Sequence, residues 1–260
     1  MDAATEQPVI EVRDLVVTLD DRRVLDGLSL DVRRGETLGV VGASGAGKSV
    51  LLRTLLGLLP KSEGSVRVLG IDLEDASADE RHAVGRRCGV LFQQGALFSS
   101  LSVVENVQFP MREYLRLSDR LRREVAMAKI EMVGLDPSDA EKFPAQLSGG
   151  MNKRAGLARA LALDPEILFL DEPTSDLDSI AANEFDTLVR TLRRTLGLTV
   201  FMVTHDLQSV AHICDRVAAI ADKRIVFVGT LAEIEQATHP WVKAYFGSER
   251  ARSALTLAQG

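Results

Sequence analysis

The sequence predicts an α/β protein with a parallel sheet at its centre, an antiparallel β-subdomain beside it and a helical subdomain inserted in it. Three observations carry that expectation. The short apolar runs Thr37 to Val41, Ile167 to Leu170 and Thr199 to Val203 have the length and unbroken hydrophobicity of strands buried on both faces. Ahead of them, Val9 to Leu19 and Leu25 to Val32 alternate apolar and polar residues about Asp20-Asp21, as half-covered antiparallel strands joined by a turn do. From residue 95 to about residue 165 the apolar spacing turns helical, with candidate helices at Val103 to Tyr114, Arg120 to Val133 and Asn152 to Ala162.

Between the run ending at Val41 and the helical pattern Val50 to Leu56 lies Gly42-Ala43-Ser44-Gly45-Ala46-Gly47-Lys48-Ser49, which fits G-x-x-x-x-G-K-[ST]. Its glycines let successive backbone N–H groups and the helix N-terminus face an anion. Lys48 adds a cation near the β- and γ-phosphates of a nucleotide, and the Ser49 hydroxyl suits Mg²⁺. The run Gly89 to Phe92 ends at Gln93, which taken alone is an ordinary polar residue at a strand end. Pro137 and Pro144 punctuate the loops before Leu147-Ser148-Gly149-Gly150, where Ser148 and the two glycines open a helix and so form a second anion site. Leu163-Asp164-Pro165 returns the chain to the sheet, and the next apolar run ends in Asp171-Glu172. A carboxylate at Asp171 is placed to hold Mg²⁺, and Glu172 to orient and deprotonate an attacking water; alone, such an acidic pair also serves as a turn or helix cap. His205, after the last of the runs, would by itself be read as structural.

The ordered set of phosphate loop, Leu147-Ser148-Gly149-Gly150 signature, strand ending Asp171-Glu172 and later His205 resembles the ATP-binding cassette (ABC) ATPases over roughly residues 8 to 230. The resemblance implies a P-loop NTPase fold with a RecA-like mixed-sheet core, an antiparallel β-subdomain and a helical subdomain. It places one ABC ATPase domain at 8–238, with its core at 8–94 and 165–238 and the helical subdomain at about 95–164, followed by a C-terminal extension at 239–260. ATP and Mg²⁺ are the implied cofactors. Gly42 to Ser49 and Val50 would hold ATP; Ser49, Gln93 and Asp171 would face Mg²⁺; Glu172, His205 and Gln93 would be catalytic, His205 as the γ-phosphate contact. Ser175-Asp176-Leu177-Asp178 matches the D-loop that crosses the dimer interface. In this family the signature of one copy closes on the ATP of the other, so Ser148, Gly149 and Gly150 would act on the nucleotide of a second, head-to-tail copy. Three positions depart from the common pattern. Leu15 to Leu25 holds no aromatic residue to stack on adenine, leaving Leu19 or Val24 as apolar substitutes; Met151 stands where glutamine often follows the signature; Asp176 replaces a smaller residue.

Phe92-Gln93-Gln94-Gly95-Ala96-Leu97-Phe98 with Val103 to Val107, and His239-Pro240-Trp241 to Gly247, are similar to segments of the Mla and Mce-type cassettes. That likeness implies lipid movement between the inner and outer membranes, through an integral-membrane permease docked near Ala96, Leu97 and Phe98 and a lipid-binding subunit with an Mce domain. It places the chain peripherally on the cytoplasmic face of the inner membrane. The aromatic C-terminal segment either docks on a partner cassette or packs on its own chain, and Ser248 to Gly260 is expected to fray. Other ABC transporters, and a non-transport cassette driving a membrane partner as in the cell-division system, share every nucleotide motif. A DNA-organising cassette would need a long coiled coil between phosphate loop and signature, and the interval lacks heptads. A tandem translation factor would need a second cassette, and a nucleotide kinase would lack the signature.

Composition agrees. A chain of 260 residues, 46% hydrophobic, suffices for a full core, and a formal charge of −6 gives no footprint for nucleic acid. Arg112, Arg116, Arg120, Arg122 and Arg123 alternate with acids as a solvated face does. Cys88 and Cys214 lie in apolar sequence without ligand spacing and are expected to be reduced thiols. The acidic N-terminus is unlike a signal peptide, and no apolar run reaches the roughly twenty residues needed to cross a bilayer, so a soluble protein is expected.

Overall fold

The structure, a computed structural model, describes residues 8–93, 95–248 and 251. The acidic N-terminal stretch before Pro8 and most of the segment expected to fray lie outside these residues. The chain divides into two compact units, residues 1–84 with 199–260, and residues 85–198.

In the first unit, β1 (Pro8–Leu19) and β2 (Arg22–Arg33) pair antiparallel from Leu19↔Arg22 outward. The turn between them is Asp20-Asp21 with both φ positive, 47° and 59°, the left-handed pair that a two-residue hairpin needs and that aspartate tolerates. Two strands not expected from the sequence, β4 (Glu63–Val68) and β5 (Ile71–Asp72), complete a sheet in the order β2-β1-β4-β5. The parallel part of this unit centres on β3 (Thr37–Gly42), buried at every residue, between β8 (Thr199–Val203) and β9 (Arg216–Ala221). β10 (Arg224–Gly229) pairs antiparallel with β9 across Asp222-Lys223, a second turn with two positive φ angles. The start of β3 is anchored by acids. Asp215 accepts the Thr37 N–H at 2.8 Å, and buried Glu36 accepts from Arg33 N–H at 2.7 Å and from the Arg216 guanidinium at 3.0 Å. The helices are α1 (Lys48–Leu55), α2 (Ala78–Arg86), whose end passes the boundary of the unit, α7 (Leu207–Ile213) and α8 (Pro240–Phe246).

In the second unit, β6 (Cys88–Leu91) and β7 (Ile167–Asp171) run parallel, with Leu91 opposite Leu170. α3 (Val103–Tyr114), α4 (Asp119–Met132) and α5 (Gly149–Ala160) pack on one another, and α6 (Ser179–Leu196) follows β7. The caps explain the boundaries. Ser102 and Glu105 form a capping box on α3, Ser118 starts α4 one residue ahead of Arg120, and Ser148 starts α5 at Gly149, three residues before the expected Asn152. Gly156 lets α5 lie close to β6, since a Cβ there would come within 2.7 Å of Leu91 Cδ1 and 3.2 Å of the Gly95 backbone. Of the arginines around α4, Arg122 is largely covered, its guanidinium donating to exposed Asp119 at 2.6 Å and to the Leu117 carbonyl at 2.9 Å.

Asn106, fully buried on α3, fastens the loop after β6. Its amide nitrogen donates to the carbonyls of Phe98, Leu101 and Ser102 at 3.0–3.1 Å, and its oxygen accepts from Phe98 N–H at 2.8 Å. Replacing Asn106 by Leu strands these backbone groups in an apolar setting and is expected to cost about 2–4 kcal/mol, measured as a lowered urea midpoint with unchanged slope. A loss under about 0.5 kcal/mol would mean that the loop does not depend on this side chain.

Burial pushes the Cys88 thiol up to about 12, so it is an inert thiol at neutral pH, and neither Cys88 nor Cys214 is in a disulfide. No described helix is long and apolar enough to cross a membrane.

Candidate nucleotide site

In the first unit the phosphate loop leaves the carboxyl end of β3 and turns through Gly45 and Gly47, whose φ angles are 78° and 100°. Gly47 is demanded twice over, by that left-handed angle and by Leu25, whose Cδ2 would lie 2.7 Å from a Cβ. Lys48 is buried and folds back over the loop, its ammonium donating to the carbonyls of Gly42 at 2.8 Å and Ala43 at 3.2 Å. Ala43, Ser44 and Gly45 are exposed, and Ala46, Ser49 and Val50 half-buried, so the concave side of the loop is open. Because β8 runs parallel beside β3, with Val203 opposite Val40, His205 leaves the sheet at the same edge as the loop. The buried Thr204 hydroxyl accepts the Asp206 N–H at 3.0 Å and leaves the His205 side chain exposed. The His205 carbonyl accepts from the Tyr245 hydroxyl at 3.2 Å.

In the second unit the parallel pair β6 and β7 delivers Gln93, Asp171 and Glu172 to one edge. Asp171 is buried, whereas Gln93 is exposed and Glu172 half-buried. Glu172 takes a left-handed φ of 49°, a strained setting for a non-glycine residue that places it at a sharp corner after the strand. Asp176 is also left-handed, at 66°. Ser148 caps α5 by accepting the Met151 N–H at 3.3 Å, and Ser148 and Gly149 are exposed.

Lys153, which belongs to none of the sequence motifs, joins these parts. Buried on α5, its ammonium donates to the Gln93 carbonyl, to the Glu172 carbonyl at 3.2 Å and to Ser175 Oγ at 3.3 Å. Desolvation lowers its pKa, against the opposing fields of Asp176, Glu172 and Asp171. The available signal was its spacing, since a lysine five residues past Ser148 falls on the α5 face turned toward the strand ends. Arg159, one to two turns further along α5, donates to the carbonyls of Ala96 at 2.7 Å and Gly95 at 2.9 Å and lies over the Phe98 ring.

A phosphate loop on a strand–helix corner in the first unit, and an acidic corner after a buried strand with a capped glycine pair in the second, are the features of a nucleotide-hydrolysing cassette. The ABC transporter family model matches residues 25–175. The chain belongs to the ABC transporter family, as an ATP-hydrolysing subunit. It is 39% identical over 230 residues to the intermembrane phospholipid transport system ATP-binding protein MlaF of Haemophilus influenzae, covering 88% of this chain and 87% of that one. To the probable ribonucleotide transport ATP-binding protein mkl of Mycobacterium leprae it is 36% identical over 241 residues, 93% of this chain and 69% of the relative. The methionine import ATP-binding protein MetN of Rhizobium johnstonii is 42% identical over 228 residues, 87% of this chain and 62% of the relative. Among solved structures, the dimeric, post-hydrolysis ATP-binding cassette MJ0796 bound to ADP and Pi superposes with a TM-score of 0.78 at 30% identity, covering 85% of this chain and 98% of that one.

Proposed function

We propose that this chain energises the movement of phospholipid, or a related lipid, between inner and outer membranes, from the cytoplasmic face of the inner membrane and through a permease and an Mce-domain subunit. The observation that carries the reading is the likeness to MlaF along nearly the whole of both chains. The loop after β6 supports it: Asn106 and Arg159 fix its backbone while Phe98 stays 43% exposed against Phe109, an apolar surface on a rigid base suited to receiving a membrane partner. MetN, named for methionine import, and mkl, named for probable ribonucleotide transport, favour a second reading, transport of a small polar solute.

In the proposed site, the loop from Gly42 to Val50 holds ATP, with Lys48 on its β- and γ-phosphates and His205 against the γ-phosphate. Glu172 accepts the proton of the attacking water. The hydroxyl of Ser49, the amide oxygen of Gln93 and the carboxylate of Asp171 are hard oxygen donors and fit Mg²⁺, which takes all its ligands from oxygen, of protein groups, phosphates and water. When bound, Mg²⁺ neutralises charge developing on the phosphates. The exposed signature acts on the ATP of a second copy, and Asp176 lies toward that copy. A side chain on Gly150 would meet nothing within 4 Å, so the chain's own packing gives no reason for glycine there, whereas a nucleotide closing from outside does.

To test the cargo, tagged Glu172→Gln protein is drawn from gently solubilised membranes in ATP and its companions identified by mass spectrometry. A permease with an Mce-domain protein and phospholipid is the expected result. A permease with a solute-binding protein and no lipid would overturn the lipid cargo in favour of the second reading.

A further inference from the structure

A groove of about 680 Å³ in the first unit is lined by Ser44, Gly45 and Ala46 of the phosphate loop, by Val24 and Ile220, and by Trp241 on α8. Arg22, Arg23 and Lys223 also border it, with Asp222 the one acid among the described lining residues; Asp222 pairs with His239 at 3.3 Å and Arg23 with Asp26 at 2.9 Å. The lining thus combines phosphate-loop backbone, the apolar side chains of Val24 and Ile220, basic residues and an indole. Trp241 is the one aromatic among the described lining residues. It is also held in place: Tyr245 stacks on it at 4.7 Å and an interplanar angle of 16°, Val242 and Phe246 anchor α8 in the core, and the Tyr245 hydroxyl is fixed on the His205 carbonyl.

We propose that Trp241 is the wall against which the nucleotide base packs. A polyphosphate seated on the loop leaves its nucleoside in this groove, and no aromatic is available from Leu15 to Leu25. An indole supplies a large flat apolar surface for a purine at little entropic loss, because one of its faces is already fixed by Tyr245. The base is then read by the C-terminal helix instead of by the hairpin ahead of the loop. The same helix touches His205, so occupancy of the base site and the position of the switch histidine are joined through one turn of α8. The inference rests on the ATP site proposed above.

Trp241 is the chain's only tryptophan, so its emission reports the base directly. Full-length protein is titrated with Mg·ATP, Mg·ADP and inorganic tripolyphosphate, following both fluorescence and calorimetric affinity. ATP and ADP are expected to change the emission and tripolyphosphate to leave it unchanged. Trp241→Ala is expected to weaken ATP about 5- to 100-fold with tripolyphosphate affinity unchanged, and Trp241→Phe to recover most of the loss. Equal emission changes with ATP and tripolyphosphate, or ATP binding by Trp241→Ala as tight as by the parent, would overturn the assignment. Failure of the parent to bind ATP in the calorimeter would remove the nucleotide site itself, and the assignment with it.

Discussion

Replacing Glu172 by Gln is expected to lower ATP turnover about 10²- to 10⁴-fold while ATP binding persists. Glutamine keeps the shape of the side chain and its hydrogen bond to a water, but it cannot take the proton that the water must lose. The corner itself should survive, because what holds it are main-chain contacts: the Glu172 carbonyl accepts from Ser175 Oγ at 2.8 Å and from Lys153. With ATP bound and uncleaved, the variant should accumulate as a closed pair of copies. Single-turnover phosphate release reads the first effect, and light scattering behind size exclusion with and without ATP reads the second. Turnover within threefold of the parent would remove Glu172 from the role of base. A variant that is inactive yet stays monomeric in saturating ATP would instead argue against the sandwiched dimer.

The second large effect is at Gly150. Gly150→Asp places a carboxylate in the first turn of α5, where the helix dipole favours it, on a helix position at which glycine is itself unfavourable. The space there is empty, so thermal stability should be unchanged or raised by about 0.5–1 kcal/mol. Turnover should nevertheless fall by about 100-fold or more, because in the proposed site a fixed negative charge would then face the γ-phosphate of the second copy's ATP at close range. ATP binding to the isolated chain, which uses the phosphate loop and not the signature, should stay within about twofold. Activity retained along with stability would mean that nothing approaches Gly150. A large loss of stability would mean that the glycine serves the chain's own fold.

The parts of the molecule fixed by local rules were plain in the sequence. The buried strands Thr37 to Val41, Ile167 to Leu170 and Thr199 to Val203 announce themselves by continuous hydrophobicity, and the phosphate loop by spacing that only a strand–loop–helix corner needs. The β1–β2 hairpin follows from alternation about two aspartates that tolerate a left-handed turn. What escaped depended on distant partners. β4 is half exposed and weakly apolar, and it becomes a strand because β1 offers it a ladder, Ile10 opposite Val68. α6 was overlooked although its ends carry ordinary signals, Asp178 accepting two backbone N–H groups at its start and Gly197 at φ 69° past its end. Lys153 escaped because a lysine on a helix is by default a solvated residue, and its burial is decided by loops sixty residues upstream and nineteen downstream. Trp241 reads from the sequence as an anchor either on a partner cassette or on its own chain, because no local pattern ties residue 241 to a loop that ends at residue 49.

Lys153 donates hydrogen bonds to the main-chain oxygens of Gln93 and Glu172. Position is therefore encoded in one residue and chemistry in the others. The amide of Gln93 or the carboxylate of Glu172 can be exchanged without loosening the scaffold that presents it. Conversely, exchanging Lys153 would free both corners at once while every reacting group is still present. Evolution or an experimenter can thus alter the hydrolytic step and the alignment of its parts independently, as two separate dials on the same site.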